Sequence, residues 1–240
     1  MNETEGYSNN MSRLGRFFST DNPVMVTLSR IFDMMYVSLV FLLFCIPLIT
    51  IGDAITSLYY VCAKVIRHGE GYVFREFWRS FKTNFKQSTI YWVIIVLIYW
   101  LLWWNINYLG LNSSTKDGIG GVLAAIYLTM MIVLAILTLN VFPIISRFDN
   151  KFMMTIRFGL FCTFRHILHG VIQLAMVVFA CMLTYVQWGT PTIIFAIVLL
   201  PGLVGFLSTY PMEHVLKKYQ PKRPLEYDET GTPIRMWYEE

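Results

Sequence analysis

Residues 54–66 read AITSLYYVCAKVI, and whether this short apolar run crosses a bilayer decides the architecture of the whole chain. Thirteen helical residues rise only about 20 Å, short of the ~30 Å hydrocarbon core of a membrane. Lys64 could snorkel outward and lengthen the usable span. A re-entrant or interfacial helix is the competing reading.

The flanking segments supply the context. Gln87–Trp104 (QSTIYWVIIVLIYWLLWW), Ile119–Val141 and Leu168–Val186 are each long and apolar enough to span, and Thr192–Thr209 is slightly shorter but uncharged. Met34–Ile51 is a further apolar run, entered through a helix start near Val24, with Asn22 or Asp21 as cap and Pro23 in the first turn. Pro47 and Gly52 end it.

Charge then settles residues 54–66. If they cross, every Lys and Arg of the 19 except Lys116 falls on one side, with Arg67, Arg75, Arg79, Lys82 and Lys86 beside the N-terminus. That distribution satisfies the positive-inside rule. If they do not cross, that five-charge loop moves outside unless another span is lost. The expected architecture is therefore an all-α integral membrane bundle of six spans, approximately 31–50, 54–66, 87–108, 119–142, 167–187 and 191–210. Residues 1–23 and 211–240 are expected as cytoplasmic ends, and 67–86 as a basic aromatic inner loop.

Composition agrees. The chain of 240 residues is 56% hydrophobic, 16% aromatic and only 14% charged, whereas soluble domains carry about 25% charge. The polar first 23 residues lack a small-x-small cleavage site, so the first apolar segment is expected to stay as a signal anchor. Trp100, Trp103, Trp104 and Tyr108 read as an outer aromatic belt. The four cysteines lie in or beside apolar runs without a CxxC pair and read as small core residues.

Residues 70–86, EGYVFREFWRSFKTNFK, repeat Phe74, Phe77, Trp78, Phe81 and Phe85 at spacings of three and four, against Arg75, Arg79, Lys82 and Lys86. This is the pattern of an amphipathic helix in the headgroup plane. Its first expected partner is anionic inner-leaflet lipid, and its second a membrane or cytoplasmic protein. Nucleic acid is disfavoured because membrane should occupy the aromatics. Residues 147–165 repeat the design loosely.

Chemistry is sparse. No phosphate-binding loop, GxSxG elbow or HExxH motif is present. Neither a catalytic set, a cofactor nor a metal site is expected. His166 and His169 lack a nearby carboxylate, although His68 and His214 could join them. The turn Pro47, Thr50, Gly52, Asp53 is a second candidate element, with Thr and Asp able to cap the next helix and Gly permitting reversal. A small oligomeric transporter or channel, the alternative to a non-enzymatic accessory protein, would need a polar, water-accessible path that includes Asn105, Asn140 or Gln173.

The stretch Pro47–Gln87, PLITIGDAITSLYYVCAKVIRHGEGYVFREFWRSFKTNFKQ, resembles the signature of the YesL-like family. The matching positions are Pro47, Thr50 and Gly52; Ala54, Leu58, Tyr59 and Tyr60; Glu70, Gly71 and Tyr72; then Phe77, Phe81, Asn84, Phe85, Lys86 and Gln87. Phe142-Pro143 followed by Arg147-Phe148 is also similar, whereas Asp53 stands where that family's pattern has a small residue. The resemblance implies a plasma-membrane protein of Gram-positive bacteria, often encoded beside sugar ABC-importer components, with no known activity.

Overall fold

The computed structural model describes residues 23–111, 119–148 and 152–219, and among these residues there is no strand. The expected N-terminal segment, Lys116 with most of its loop, and most of the polar tail with Trp237 and Tyr238 lie outside the described residues. Helix α1 is Pro23–Phe44. A 3-10 turn, Leu48–Thr50, leads into α2, Ile51–Val61, which continues as a π-helical stretch, Cys62–Arg67. Helix α3 is Val73–Asn105, α4 Ile119–Arg147, α5 Phe152–Arg165, α6 Ile167–Val186 and α7 Ile193–Tyr219.

Among the described residues, six helices are long and apolar enough to cross a membrane, consistent with a multi-pass membrane protein. Their burial pattern points the same way. Buried polar side chains include Ser38, Asp53, Thr56, Ser88, Asn140, Thr163 and Glu213, while Val96, Leu97, Val122, Ile132 and Phe179 face outward. Apolar side chains on the outside and polar groups within is the arrangement a hydrocarbon solvent favours.

Residues 54–66 form the centre of the bundle. The apolar segment Leu48–Arg67 is 67% buried, against 6–22% for the other five. Helix α2 packs on α1, α3, α4 and α7. Its Leu58, Val61, Cys62 and Val65 join Val37 and Val40 of α1 and Phe77 of α3, and its Tyr59 packs with Ile144, Met212 and Leu216. A helix surrounded by protein tolerates the polar Thr56, Ser57 and Lys64 that a lipid-facing span would exclude.

Several expected boundaries move. Helix α1 stops at Phe44, before Pro47. The basic aromatic stretch is not a separate in-plane helix. It is the first part of α3, which runs unbroken for 33 residues, about 50 Å and so some 20 Å more than the hydrocarbon core. No proline or glycine interrupts residues 73–105, and α2 packs antiparallel along this part, Lys64 meeting Glu76 and Thr56 meeting Ser88. Helix α4 continues through Pro143 to Arg147. Helix α7 passes through Pro211 to Tyr219, so the start of the expected tail at 211 is helical core, with Met212, Val215 and Leu216 buried.

Candidate functional site

The first part of α3 sorts its aromatic side chains into two sets. Phe77 and Phe81 are buried and close around Phe44 at the end of α1, with ring centroids 5.3 and 4.8 Å away. These two are core, not interaction surface, because α1 and α2 cover that side of the helix. Phe74, Trp78 and Phe85 remain 49%, 39% and 38% exposed, and Arg75, Arg79, Lys82 and Lys86 are exposed as well. At 100° per residue, Phe74, Phe85 and Trp78 form one stripe, and Lys82, Arg75, Lys86 and Arg79 form the stripe beside it. Lys82 Nζ sits over the Trp78 ring, 4.8 Å from its centroid, a cation–π contact that holds the two stripes in register. The result is an aromatic-basic strip along the first part of α3.

The turn Pro47–Asp53 works differently from its sequence pattern. The Thr50 hydroxyl donates to the carbonyls of Phe44 and Pro47, at 2.7 and 2.8 Å, so it ties off the end of α1 and makes no side-chain cap for α2. Gly52 does not supply a left-handed turn; the positive-φ glycines among the described residues are Gly69, Gly71 and Gly189. Gly52 is small because α2 crosses α3 there: a Cβ would lie 2.6 Å from the Trp92 Cβ and 3.0 Å from the Ser88 carbonyl oxygen. Trp92 Nε1 donates to the Leu48 carbonyl at 2.8 Å and locks the turn on α3.

This close crossing buries Asp53 completely. Neither carboxylate oxygen has a hydrogen-bond partner among the described residues. Ser88 lies close enough to influence the carboxyl without reaching hydrogen-bond geometry, and its hydroxyl is engaged with Thr56 at 3.0 Å. A buried acid without a counter-charge costs stability. Asp53→Asn is therefore expected to hold or raise the thermal midpoint in mild detergent, by about 2–4 °C for each kcal/mol gained. A drop in the midpoint would show that the carboxylate is a supporting element of the fold.

Two ion pairs and one arginine–carbonyl contact were not visible in sequence. Lys64 does not snorkel; its Nζ meets Glu76 Oε2 at 2.9 Å, with the Tyr60 hydroxyl at 3.5 Å from the same oxygen. Arg147 pairs with Glu213, both side chains nearly inaccessible, and the Tyr59 hydroxyl donates to Glu213 at 3.1 Å. Arg67 donates to the Thr209 carbonyl at 3.1 Å and stacks over Tyr210. Sequence offered one faint signal for Glu213: it stands between Met212 and Val215-Leu216, an apolar periodicity that continues α7.

Three of the four candidate histidines, His166, His169 and His214, meet. His166 and His169 rings are 5.6 Å apart, and His169 stacks on His214 at 6.2 Å. His166 Nε2 lies 3.1 Å from the Tyr219 hydroxyl. Burial, then His169, Lys218 and Arg165, hold His166 below the usual histidine range. No group of three or more metal-ligating side chains forms among the described residues.

The three candidate amides of the alternative path lie in different surroundings. Asn140 Nδ2 donates to Thr163 Oγ1 at 3.1 Å, and Asn105 bonds to the Leu101 carbonyl of its own helix. Gln173 alone of the three lines the large cavity between α1, α2, α4, α6 and α7.

A family model described as a protein of unknown function, DUF624, matches residues 34–106. The match runs from the middle of α1 to the end of α3. It therefore takes in the Pro47–Asp53 turn, the central helix α2 and the whole aromatic-basic strip. No curated protein and no solved structure matches the chain.

Proposed function

We propose that this chain is a non-enzymatic multi-pass protein of a bacterial plasma membrane, with both ends cytoplasmic, acting as an accessory or regulatory partner in carbohydrate ABC uptake. The observation that carries the reading is the strip on α3, where Phe74, Trp78 and Phe85 stay exposed beside four cations. Exposed aromatics next to arginine are the composition of binding hot spots. The class of partner comes from the genomic neighbourhood that the YesL-like resemblance implies, which is an associational warrant. Six crossings and the placement of the Lys and Arg residues support the proposed sidedness. The strip also suits anionic lipid, which holds the basic stripe against the headgroups while the aromatics reach a protein neighbour.

A photo-crosslinking residue at Arg79 supplies the test. Irradiation of membranes followed by purification in mild detergent is expected to give a reproducible protein adduct containing an importer subunit. Trp78→Ala should reduce that adduct at least tenfold, the effect of losing a hot-spot contact of about 1.4 kcal/mol or more. Adducts with lipid alone would overturn the proposal.

A further inference from the structure

Polar side chains run in two facing rows where α2 packs on α3. On α3, Glu76, Ser80, Asn84 and Ser88 recur every four residues and form one row, about 18 Å long. Both ends of that row touch α2, Glu76 through Lys64 at 2.9 Å and Ser88 through Thr56 at 3.0 Å. On α2, Asp53, Ser57, Tyr60 and Lys64 recur at intervals of four and three and form the answering row. Asp53, Ser57, Ser80 and Ser88 are all buried. Asn84 Nδ2 donates to the Ser80 carbonyl and hydroxyl, at 3.1 and 3.3 Å. Interhelical bonding accounts for Thr56 with Ser88 and for Lys64 with Glu76. It does not account for Asp53 and Ser57, whose side-chain oxygens have no partner among the described residues.

The seam is open at one end and closed at the other. At Lys64 and Glu76 it reaches the exposed residues 69–72. At Asp53 it stops. Gly52 packs tightly on Trp92 and Phe142, and Trp92 Nε1 is bonded to the Leu48 carbonyl. Beyond them stand only the exposed apolar side chains of Ile46, Leu48 and Ile49. The titratable groups along the seam besides Asp53 are Tyr60 and Lys64 of α2 and Glu76 of α3, and the last two pair with each other. The α4 residue at the closed end is the apolar Phe142.

We propose that Asp53 is a proton-binding site, loaded through this seam from the Lys64–Glu76 end. A carboxyl buried without a cation or a donor takes up a proton rather than stay charged, and ionisable groups inside a bilayer mark proton relays. Hydroxyl and amide side chains both donate and accept, so the two rows can hand a proton along by reorientation. In loading, one Asp53 oxygen forms an O–H bond with a proton that water at residues 69–72 gives up. In unloading that bond breaks and the proton returns by the same route, because the far end is closed. The site is separate from the aromatic-basic strip on the outward side of α3 and stands whether or not that strip holds a partner.

Infrared spectroscopy of the full-length protein in mild detergent tests this, since a protonated acid has a carbonyl stretch that a carboxylate lacks. At neutral pH a band of this kind is expected that Asp53→Asn removes. Transfer to deuterated water should shift the band as the acid proton exchanges. Asn84→Leu interrupts the α3 row with a side chain of similar size, and should slow that exchange roughly tenfold or more while the band remains. Ser57→Ala, a milder interruption on α2, should slow it in the same direction and decides the matter if Asn84→Leu fails to fold. Absence of the Asp53 band at neutral pH would overturn the proposal, because the carboxyl would then be charged. Loss of the band on adding sodium ions at constant pH would overturn it too, by assigning the site to a metal cation. Exchange at the wild-type rate in both seam variants would refute the route and leave Asp53 a neutral core residue.

Discussion

Arg147→Ala is expected to destabilise the protein by about 3–5 kcal/mol, the cost of stranding one member of a buried ion pair. The stranded group is Glu213, whose side chain is 1% exposed and which also accepts from the Tyr59 hydroxyl. Glu213→Ala removes the carboxylate that faces Arg147 and should also lower the midpoint. Replacing both, as Arg147→Met with Glu213→Leu, should recover most of the loss, because apolar pairs of similar volume often substitute for buried ions at little net cost. Thermal unfolding in detergent, followed by the maleimide reactivity of Cys162, checks this. Cys162 is buried in the same cluster as Met212, Val215 and Leu216, so its exposure reports this part of the core directly. Equal midpoints for the single and double variants would remove the pair from any structural role.

Gly202→Val is expected to separate α1 from α7 at their closest contact. A Cβ on Gly202 would fall on the Met34 carbonyl oxygen and 2.7 Å from Ser38 Oγ. The first of these is backbone and cannot swing aside. The Gly202 N–H also donates to Ser38 Oγ at 2.7 Å, a bond that the displaced helix would lose. Overpacking of this kind costs about 1–3 kcal/mol or more, and close helix approach through small residues is the main packing device inside a bilayer. Gly121→Ala is the matched control, since a Cβ there meets nothing within 4 Å. It should leave the midpoint unchanged or raise it slightly through helix propensity. Similar losses in both variants would mean that the α1–α7 contact does not constrain the fold.

The legibility of the chain divides along a physical line. Gln87–Trp104, Ile119–Val141 and Leu168–Val186 could be read directly, because partition between water and hydrocarbon is a property of each side chain. Residues 54–66 needed the positions of distant cations, because their own length and polarity argued both ways. Phe77 and Phe81 were indistinguishable from Phe74 and Phe85 in sequence, since all four sit on the apolar side of one amphipathic pattern. Only the placement of Phe44 and α2 made two of them core.

The polar residues divide in the same way. Residue types and their spacing were enough for an all-helical chain with six apolar segments and an amphipathic stretch ahead of the third segment. The tertiary structure alone decided which helix is central, that Glu213 belongs to the core rather than to a tail, and that Gln173 rather than Asn140 or Asn105 faces a cavity. Hydropathy reports what a side chain prefers as solvent. Whether protein takes the place of that solvent depends on neighbours brought from elsewhere in the chain, such as the pairing of Arg147 with a carboxylate 66 residues away.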